Sequence, residues 1–351
     1  MYWPKFTISE EILRNIAQIE AAKALIDNAP LLPAWENQFR EEATARTVHH
    51  GTHLEGNDLS FNQAKKVIEG EKVVGRPRDI QEVLNYRKVL DYLDKLSSSE
   101  NKDFVYKEEH LKKIHSLTVE KILSPEECGH YRKLKVVVKD SETQEVKFIP
   151  PPPIEVPYQI KEFFAWLSHE PRSKNIHPVL RAGIAHYEIV RIHPFIDGNG
   201  RVARAFATLI LFREGYDIKR FFSLEEYYDQ DAAAYYQHLQ SVSLNNDLTN
   251  WLEYFTYGLA VELQKVKEKV ESLSLDSSLK DRLGKQIILS SRQIKLVKFL
   301  KEHKSLEMAQ AKQILKMVSE DTILRDLRDL LKKGLIVREG KTKGVKYRLV
   351  Q

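Results

Sequence analysis

Apolar residues recur at three- and four-residue spacing over EEILRNIAQIEAAKALI (10–26), IQEVLNYRKVLDYLDKL (80–96), EEHLKKIHSLTVEKIL (108–123), PYQIKEFFAWLSHE (157–170), VLRAGIAHYEIVRI (179–192) and ARAFATLILFREG (203–215). That period predicts helices, each with one buried face, and a mainly α protein. One stretch breaks the rule. LKVVVKDSETQEVKFIP sets two β-branched runs about polar DSETQE and predicts a hairpin, which the four prolines Pro150 to Pro153 end as a rigid corner. Near the C-terminus, SSRQIKLVKFLKEH, LEMAQAKQILKM and SEDTILRDLRDLLKKG predict three short helices, and LIVREGKTKGVKYRLV two strands about a Lys/Gly-rich turn. This is the order of a winged helix-turn-helix. Its third helix has Ser319 as N-cap, Glu320 and Asp321 in the first turn and Gly334 as its stop.

The 351 residues, with 42% hydrophobic side chains and 55 Lys and Arg against 50 Asp and Glu, suit a folded chain of two or three domains. Charge divides it unevenly: Lys285 to Gln351 holds 17 basic and 7 acidic residues, so the tail is basic and the body acidic. ESLSLDSSLKD, rich in Ser and Asp, precedes that tail and reads as a linker. The expected division is an N-terminal helical region over 1–60, a catalytic domain over 61–272, a linker over 273–288 and a winged helix over 289–351. The single cysteine, Cys128, excludes an internal disulfide and a Cys-only zinc site. No run approaches the ~20 apolar residues of a membrane span, and MYWPKFTISEE lacks the layout of a secretory signal. The expectation is a cytoplasmic protein with no membrane partner.

Between two apolar helical segments lies HPFIDGNGRVAR, residues 193–204, in which each residue type suits phosphate chemistry. Pro194 ends the preceding helix, and the DGNG turn opens the next, where glycines admit close approach of a ligand to free N–H groups. Arg201 and Arg204, three apart, share a helix face and suit more than one phosphate. Asp197 suits a Mg2+ otherwise held by phosphate and water, and His193 is the one neutral base nearby. A zinc reading of His193, Asp197 and His186 leaves both arginines unexplained.

HPFIDGNGRVAR matches the signature of Fic-domain proteins, HPFx[DE]GNGRxxR, at every specified position. GHYRK (129–133), VKFIPPPPIEVP (146–157) and YYQHLQSVSLNNDLTNWLEYF resemble the flap hairpin and C-terminal helices of that family, so the likeness spans roughly residues 35–265. The resemblance implies a Fic-type helical bundle with a β-hairpin flap. It also implies transfer of AMP from ATP to a Tyr, Ser or Thr hydroxyl of a target protein. Carried over, His193 would be the base and Asp197 would hold Mg2+. Gly198, Asn199 and Gly200 would cradle the phosphates, and Arg201 and Arg204 would grip the β- and γ-phosphates. The target would pair with the flap by strand addition. TVHHGTHLEGNDLS further resembles the family's inhibitory motif [ST]xxxE[GN], which would make Glu55 a brake holding Arg204 in a bidentate pair. Gly51 stands where that motif has Ser or Thr, and a helix-weakening glycine there predicts a looser brake. By offset from the signature, the adenine pocket falls near Tyr235, Tyr236 and Ser243.

In a DNA-binding reading of the tail, Thr322, Arg325 and Arg328 would face the groove and Lys341, Lys343 and Lys346 the phosphates. Glu320, Asp321 and Asp326 on the same helix argue against it, and winged helices also dock proteins. The alternatives are a DNA-binding regulator whose Fic site senses nucleotide, and a Fic enzyme using another phosphate-containing donor or removing AMP. Self-modification and a homodimer are further partner expectations.

Overall fold

A computed structural model describes residues 2–29, 33–98, 104–139, 146–169, 173–283, 289–303, 305–316, 318–340 and 345–350. The chain divides into two compact units, the larger built from residues 1–28 and 32–267 and the smaller from 268 onward. The larger unit is helical: α1 (Glu10–Asp27), α2 (Pro33–His53), α3 (Phe61–Ile68), α4 (Pro77–Ser97), α5 (Glu108–Thr118), α6 (Val156–His169), α7 (Pro178–Ile192), α8 (Asn199–Arg213), α9 (Leu224–Gln230), α10 (Ala232–Asn245) and the first part of α11 (Thr249–Leu283). Residues 1–60 are thus integral to this unit, since α2 packs on α3, α4 and α9.

At its centre α7 and α8 pack against each other, and nearly every residue of both is buried. A helix apolar on all sides needs neighbours all round, which α4, α5, α6 and the α9–α11 segment supply. Trp251 of α11 donates its indole N–H to the Gly183 carbonyl at 2.7 Å, tying α11 to α7. Asn15 of α1 reaches Thr256 of α11 at 3.1 Å. Local signals start the helices: Ser9 accepts from the Ile12 amide, and Ser60 and Gln63 make a capping box.

The segment before Glu55 shows no strong apolar period, yet α2 runs for 21 residues. Apart from Phe39, its buried face uses Ala43, Ala45, Thr47, Val48, Gly51 and Thr52, mostly too small to make an obvious apolar stripe. One expectation is corrected here. The stretch expected as linker continues α11 as far as Leu283, with 284–288 outside the described residues. Ser and Asp weaken a helix only slightly, and Leu275, Leu279 and Leu283 keep a four-residue period through it.

The hairpin forms from β1 (Val138–Lys139) and β2 (Val146–Phe148), antiparallel, with Val138 opposite Phe148 and Lys139 opposite Val146. The smaller unit holds α12 (Ser291–His303), β3 (Leu306–Glu307), α13 (Met308–Ile314), α14 (Glu320–Lys332), β4 (Ile336–Glu339) and β5 (Lys346–Leu349). Its sheet has the order β3-β5-β4, so the two predicted strands gain a third, too short to leave a period in the sequence. Leu296, Leu300, Leu306, Ile323, Leu327, Leu330 and Tyr347 fill its own core. No helix among the described residues is long and apolar enough to cross a membrane.

Candidate active site

The turn between α7 and α8 is shaped by its own side chains. His193 closes α7 in left-handed geometry, φ 49° and ψ 60°, its amide still donating to Ile189 at 2.9 Å. Asn199 accepts from the Phe195 amide and donates to the Phe195 carbonyl, both at 2.9 Å, so one amide side chain fastens the loop on itself. Gly198, at φ +76°, begins α8 with no side chain capping the helix's first amides. Those amides and the positive end of the helix dipole are thus left for an anion.

His193 lies 3.3 Å by its Nδ1 from the Val190 carbonyl. That contact puts the ring proton on Nδ1 and leaves Nε2 as the acceptor. Burial lowers its pKa, outweighing the Val190 carbonyl, which favours the charged form. Behind the turn, buried His115 accepts from the Gly129 amide on Nδ1 (2.9 Å) and faces the Asp197 carbonyl with Nε2 (3.2 Å). It stacks on Phe195 with ring centroids 3.8 Å apart. Burial pushes its pKa down to about 4, so it is neutral, with its proton on Nε2.

Arg132, 5% exposed, joins the turn to the hairpin. Its Nε donates to the His193 carbonyl (2.7 Å), Nη1 to Leu134 (3.2 Å) and Nη2 to Pro151 (2.6 Å), while its amide donates to Pro194 (2.9 Å). One guanidinium therefore holds both ends of the hairpin against the histidine.

Arg201 and Arg204 lie side by side on the first turn of α8, 1% and 2% exposed. Arg201 is 3.2 Å from buried Glu82, whose other oxygen accepts from Asn57 at 3.0 Å. Arg204 donates through Nη2 to Glu55 (2.8 Å) and to the Gly51 carbonyl (2.9 Å). Contact with Glu55 is thus through one nitrogen and one oxygen, not the expected bidentate fork. Burial opposes the charge of Arg204, but Glu55 and the hydroxyls of Tyr235, Tyr86 and Tyr236 leave its pKa raised overall. The Nε of both arginines and Nη1 of Arg204 are buried without hydrogen-bond partners among the described residues, and Arg201 Nη1 has only its ion pair with Glu82. Cationic N–H groups left over beside open helix amides suit an anion of more than one charge.

Two glycines make this arrangement possible. A Cβ on Gly200 would collide with the Glu55 carboxylate and stand 3.2 Å from Arg204 Nη1. A Cβ on Gly51 would stand 2.5 Å from the Tyr86 ring. Gly51 therefore brings α2 close to Tyr86, and its carbonyl accepts from Arg204.

Asp197 accepts from the Gly198 amide on Oδ1 at 2.6 Å and pairs through Oδ2 with Arg78 at 3.0 Å. Its side chain is 37% exposed. Among the described residues no group of three or more His, Cys, Asp or Glu could hold a metal. One open carboxylate beside an anion site fits a hard cation whose other ligands are water and phosphate oxygens, as in Mg2+ nucleotide sites, and not a protein-caged metal. The zinc triad is not assembled: His186 is fully buried and bonds Tyr235 at 2.8 Å.

The residues expected at the adenine pocket separate. Tyr235 is 1% exposed, stacked on Tyr228, and its hydroxyl favours the charged form of Arg204. Tyr236 is 47% exposed and donates to the Leu54 carbonyl at 3.4 Å. Ser243 is exposed, 3.4 Å from the Tyr187 hydroxyl. Glu82, Arg78, His115 and Arg132 emerge only in three dimensions: Glu82 and His115 lie in segments read simply as helices, and Arg132 in GHYRK, read as part of the flap region.

In the smaller unit Arg325 and Arg328 are exposed on α14, and Thr322 is half-buried with its hydroxyl on Ser319 at 2.9 Å. Lys346 pairs with Glu307 at 2.8 Å, while Lys341 and Lys343 lie outside the described residues. Asp326 is buried and held by Arg292 at 2.6 Å, so it does not oppose phosphate on the face of Arg325 and Arg328 as the sequence suggests.

The fold of the larger unit is that of a Fic-type helical bundle. Residues 104–211 match the Fic/DOC family, and residues 292–340 match the DeoR-like helix-turn-helix domain. A Fic family protein from Desulfovibrio desulfuricans is similar over nearly the whole chain, with TM-score 0.65, 26% identity and coverage of 99% of this chain and 98% of that one. Fic-1 from C. elegans superposes with TM-score 0.59 and 26% identity over 72% of each chain. Among curated proteins, "Protein adenylyltransferase Fic" of Nematostella vectensis is 31% identical over 202 residues, 54% of this chain and 43% of that one. Its counterpart in Culex quinquefasciatus is 29% identical over 205 residues, 58% and 39%. The chain spans about two fifths of the length of these curated relatives.

Proposed function

We propose that the protein is a protein adenylyltransferase that moves AMP from ATP to a Ser, Thr or Tyr hydroxyl of a target protein and is restrained by Glu55. The observation that carries this reading is the pair of buried arginines, with unpaired N–H groups, at the start of α8 beside a histidine whose Nε2 is free. The likeness to named adenylyltransferases supports it.

In this reaction the target oxygen forms a bond to the α-phosphorus, the bond from that phosphorus to the bridging oxygen breaks, and pyrophosphate leaves. His193 Nε2 takes the hydroxyl proton. Arg201 and Arg204 stabilise charge that develops on the pyrophosphate, and the amides of the turn orient the chain for in-line attack. Asp197 would hold Mg2+, which when bound neutralises phosphate charge. The target's strand would lie along the hairpin that Arg132 fixes beside His193. Glu55 occupies Arg204 and the space above Gly200, where the terminal phosphate belongs, so ATP would enter without the geometry for transfer.

The test compares α-labelled with γ-labelled ATP in Mg2+, using Glu55→Gly with and without His193→Ala, and reads label on the protein and on added lysate. Label from the α-phosphate alone, lost with His193→Ala, is expected. Label on the protein itself identifies self-modification. Label from neither position, with ATP still bound, sinks AMP transfer from ATP and leaves another donor, removal of AMP, or nucleotide sensing.

A second reading, of the smaller unit, is DNA binding. Burial of Asp326 under Arg292 leaves Arg325 and Arg328 on an exposed face of α14, in a segment matching a DeoR-like helix-turn-helix. Retention of duplex DNA that weakens with salt, and that Arg325→Ala with Arg328→Ala flattens by about one unit of log–log slope per lost phosphate contact, is the expected result. Salt-independent retention, or none, leaves the unit as a protein-docking module.

A further inference from the structure

Arg78 stands outside the segment that supplies the catalytic residues, in the first turn of α4. Its Nη2 lies 3.0 Å from Asp197 Oδ2 and its Nε donates to Glu82 Oε1 at 3.2 Å. That same Glu82 oxygen is 3.2 Å from Arg201 Nη1. The guanidiniums of Arg78 and Arg201 therefore meet on one carboxylate oxygen at the edge of the anion site. They differ in freedom: the Arg78 side chain is 60% exposed, that of Arg201 only 2%.

Asp197 has one oxygen committed to the Gly198 amide, so Oδ2 is the atom left for a cation, and Arg78 holds it. A guanidinium at 3.0 Å and a divalent ion cannot share that oxygen, because like charges in contact repel and both need the same lone pairs. Metal entry thus requires Arg78 to leave. An arginine displaced by rotation of its own side chain, with Nε pivoting on Glu82, swings toward the nearest negative charge, and in a loaded site that charge is on the phosphate chain next to Arg201.

Resting on the reading of Asp197 as metal holder and of α8's start as phosphate site, we propose that Arg78 is a third phosphate-binding arginine. In the free protein it neutralises Asp197, and it transfers to the nucleotide's phosphate chain beside Arg201 when metal and nucleotide arrive. Asp197 is thereby kept from being an isolated carboxylate before the cation comes, and metal binding is made dependent on nucleotide, since the nucleotide gives Arg78 its second partner.

The test needs no catalysis, so it is independent of whether AMP is transferred. Mn2+ is titrated into the full chain, followed by electron paramagnetic resonance, without nucleotide; ADP is titrated separately by calorimetry in Mn2+. Arg78→Met should bind Mn2+ about two- to fivefold more tightly, as fits loss of a competing exposed ion pair. It should bind ADP about tenfold more weakly, as fits loss of a charge-assisted contact. Arg78→Lys should recover most of the ADP affinity. Opposite signs are the signature, because a merely structural disturbance weakens both. Both affinities falling, neither changing, or Mn2+ rising with ADP unchanged overturns the proposal. Mn2+ affinity that Asp197→Asn leaves intact overturns it together with the metal role of Asp197.

Discussion

Glu55 and Arg204 are an unequal pair: the acid side chain is 23% exposed and the base 1%. Removing the acid therefore leaves a buried cation with the Gly51 carbonyl as its remaining hydrogen-bond acceptor, a loss of about 1–3 kcal/mol moderated by water reaching the vacated space. Glu55→Gly should lower the thermal midpoint by a few degrees while raising AMP transfer at least tenfold, read together by calorimetry and α-label incorporation. His193 gives a second expectation. Its pKa lies below the ordinary 6.5, so the neutral base persists to lower pH, and the acid limb of the transfer rate in Glu55→Gly should have its midpoint under 6.5. His115 acts on stability. With a folded pKa of about 4 and an unfolded value near 6.5, it binds a proton more readily unfolded, so its contribution is whole above pH 6.5 and fades as pH falls toward 4. That contribution is about 3 kcal/mol. Denaturant unfolding at pH 7 and pH 5 should show the loss, and His115→Asn should be less stable at pH 7 with a flatter pH dependence. His193, Asp197, Arg201 and Arg204 were legible because they are close in sequence and chemically unlike their surroundings. His115 and Glu82 were not, since a histidine and a glutamate inside amphipathic helices look like any other polar position until the helices are packed.

At the scale of elements, α2 is held by more than its terminal glutamate. His50 and His53 both reach Asp229 of α9, at 2.7 and 2.8 Å, and Arg46 joins Glu226 of α9 and the Phe221 carbonyl. These contacts fix the end of α2 that delivers Glu55. Asp229→Asn should therefore raise basal transfer a few-fold, less than Glu55→Gly, and increase amide exchange over residues 48–56. Unchanged exchange and unchanged transfer would show that the glutamate alone sets the restraint. Helices with large apolar residues were predictable to within a turn or two, as for α1, α4, α6 and α8. The reach of α2 was not, because alanine, threonine and glycine pack closely without writing a strong period, and α11 ran on through a segment whose serines suggested a break.

For the molecule as a whole, the larger unit has its own buried core around α7 and α8, and the smaller a separate one around Leu327. Deleting residues 284–351 should consequently leave α-label transfer to the protein itself within about threefold in the Glu55→Gly background, measured against the full chain. Arg132 has a broader meaning at this scale. Because it clamps the Leu134 and Pro151 carbonyls, just outside the two strands, and the His193 carbonyl, both flanks of the hairpin and the histidine share one anchor. A change that shifts the backbone at Leu134 or Pro151 is therefore transmitted through one guanidinium to the backbone of His193, so the mount of the hairpin and the seat of the proposed base move together.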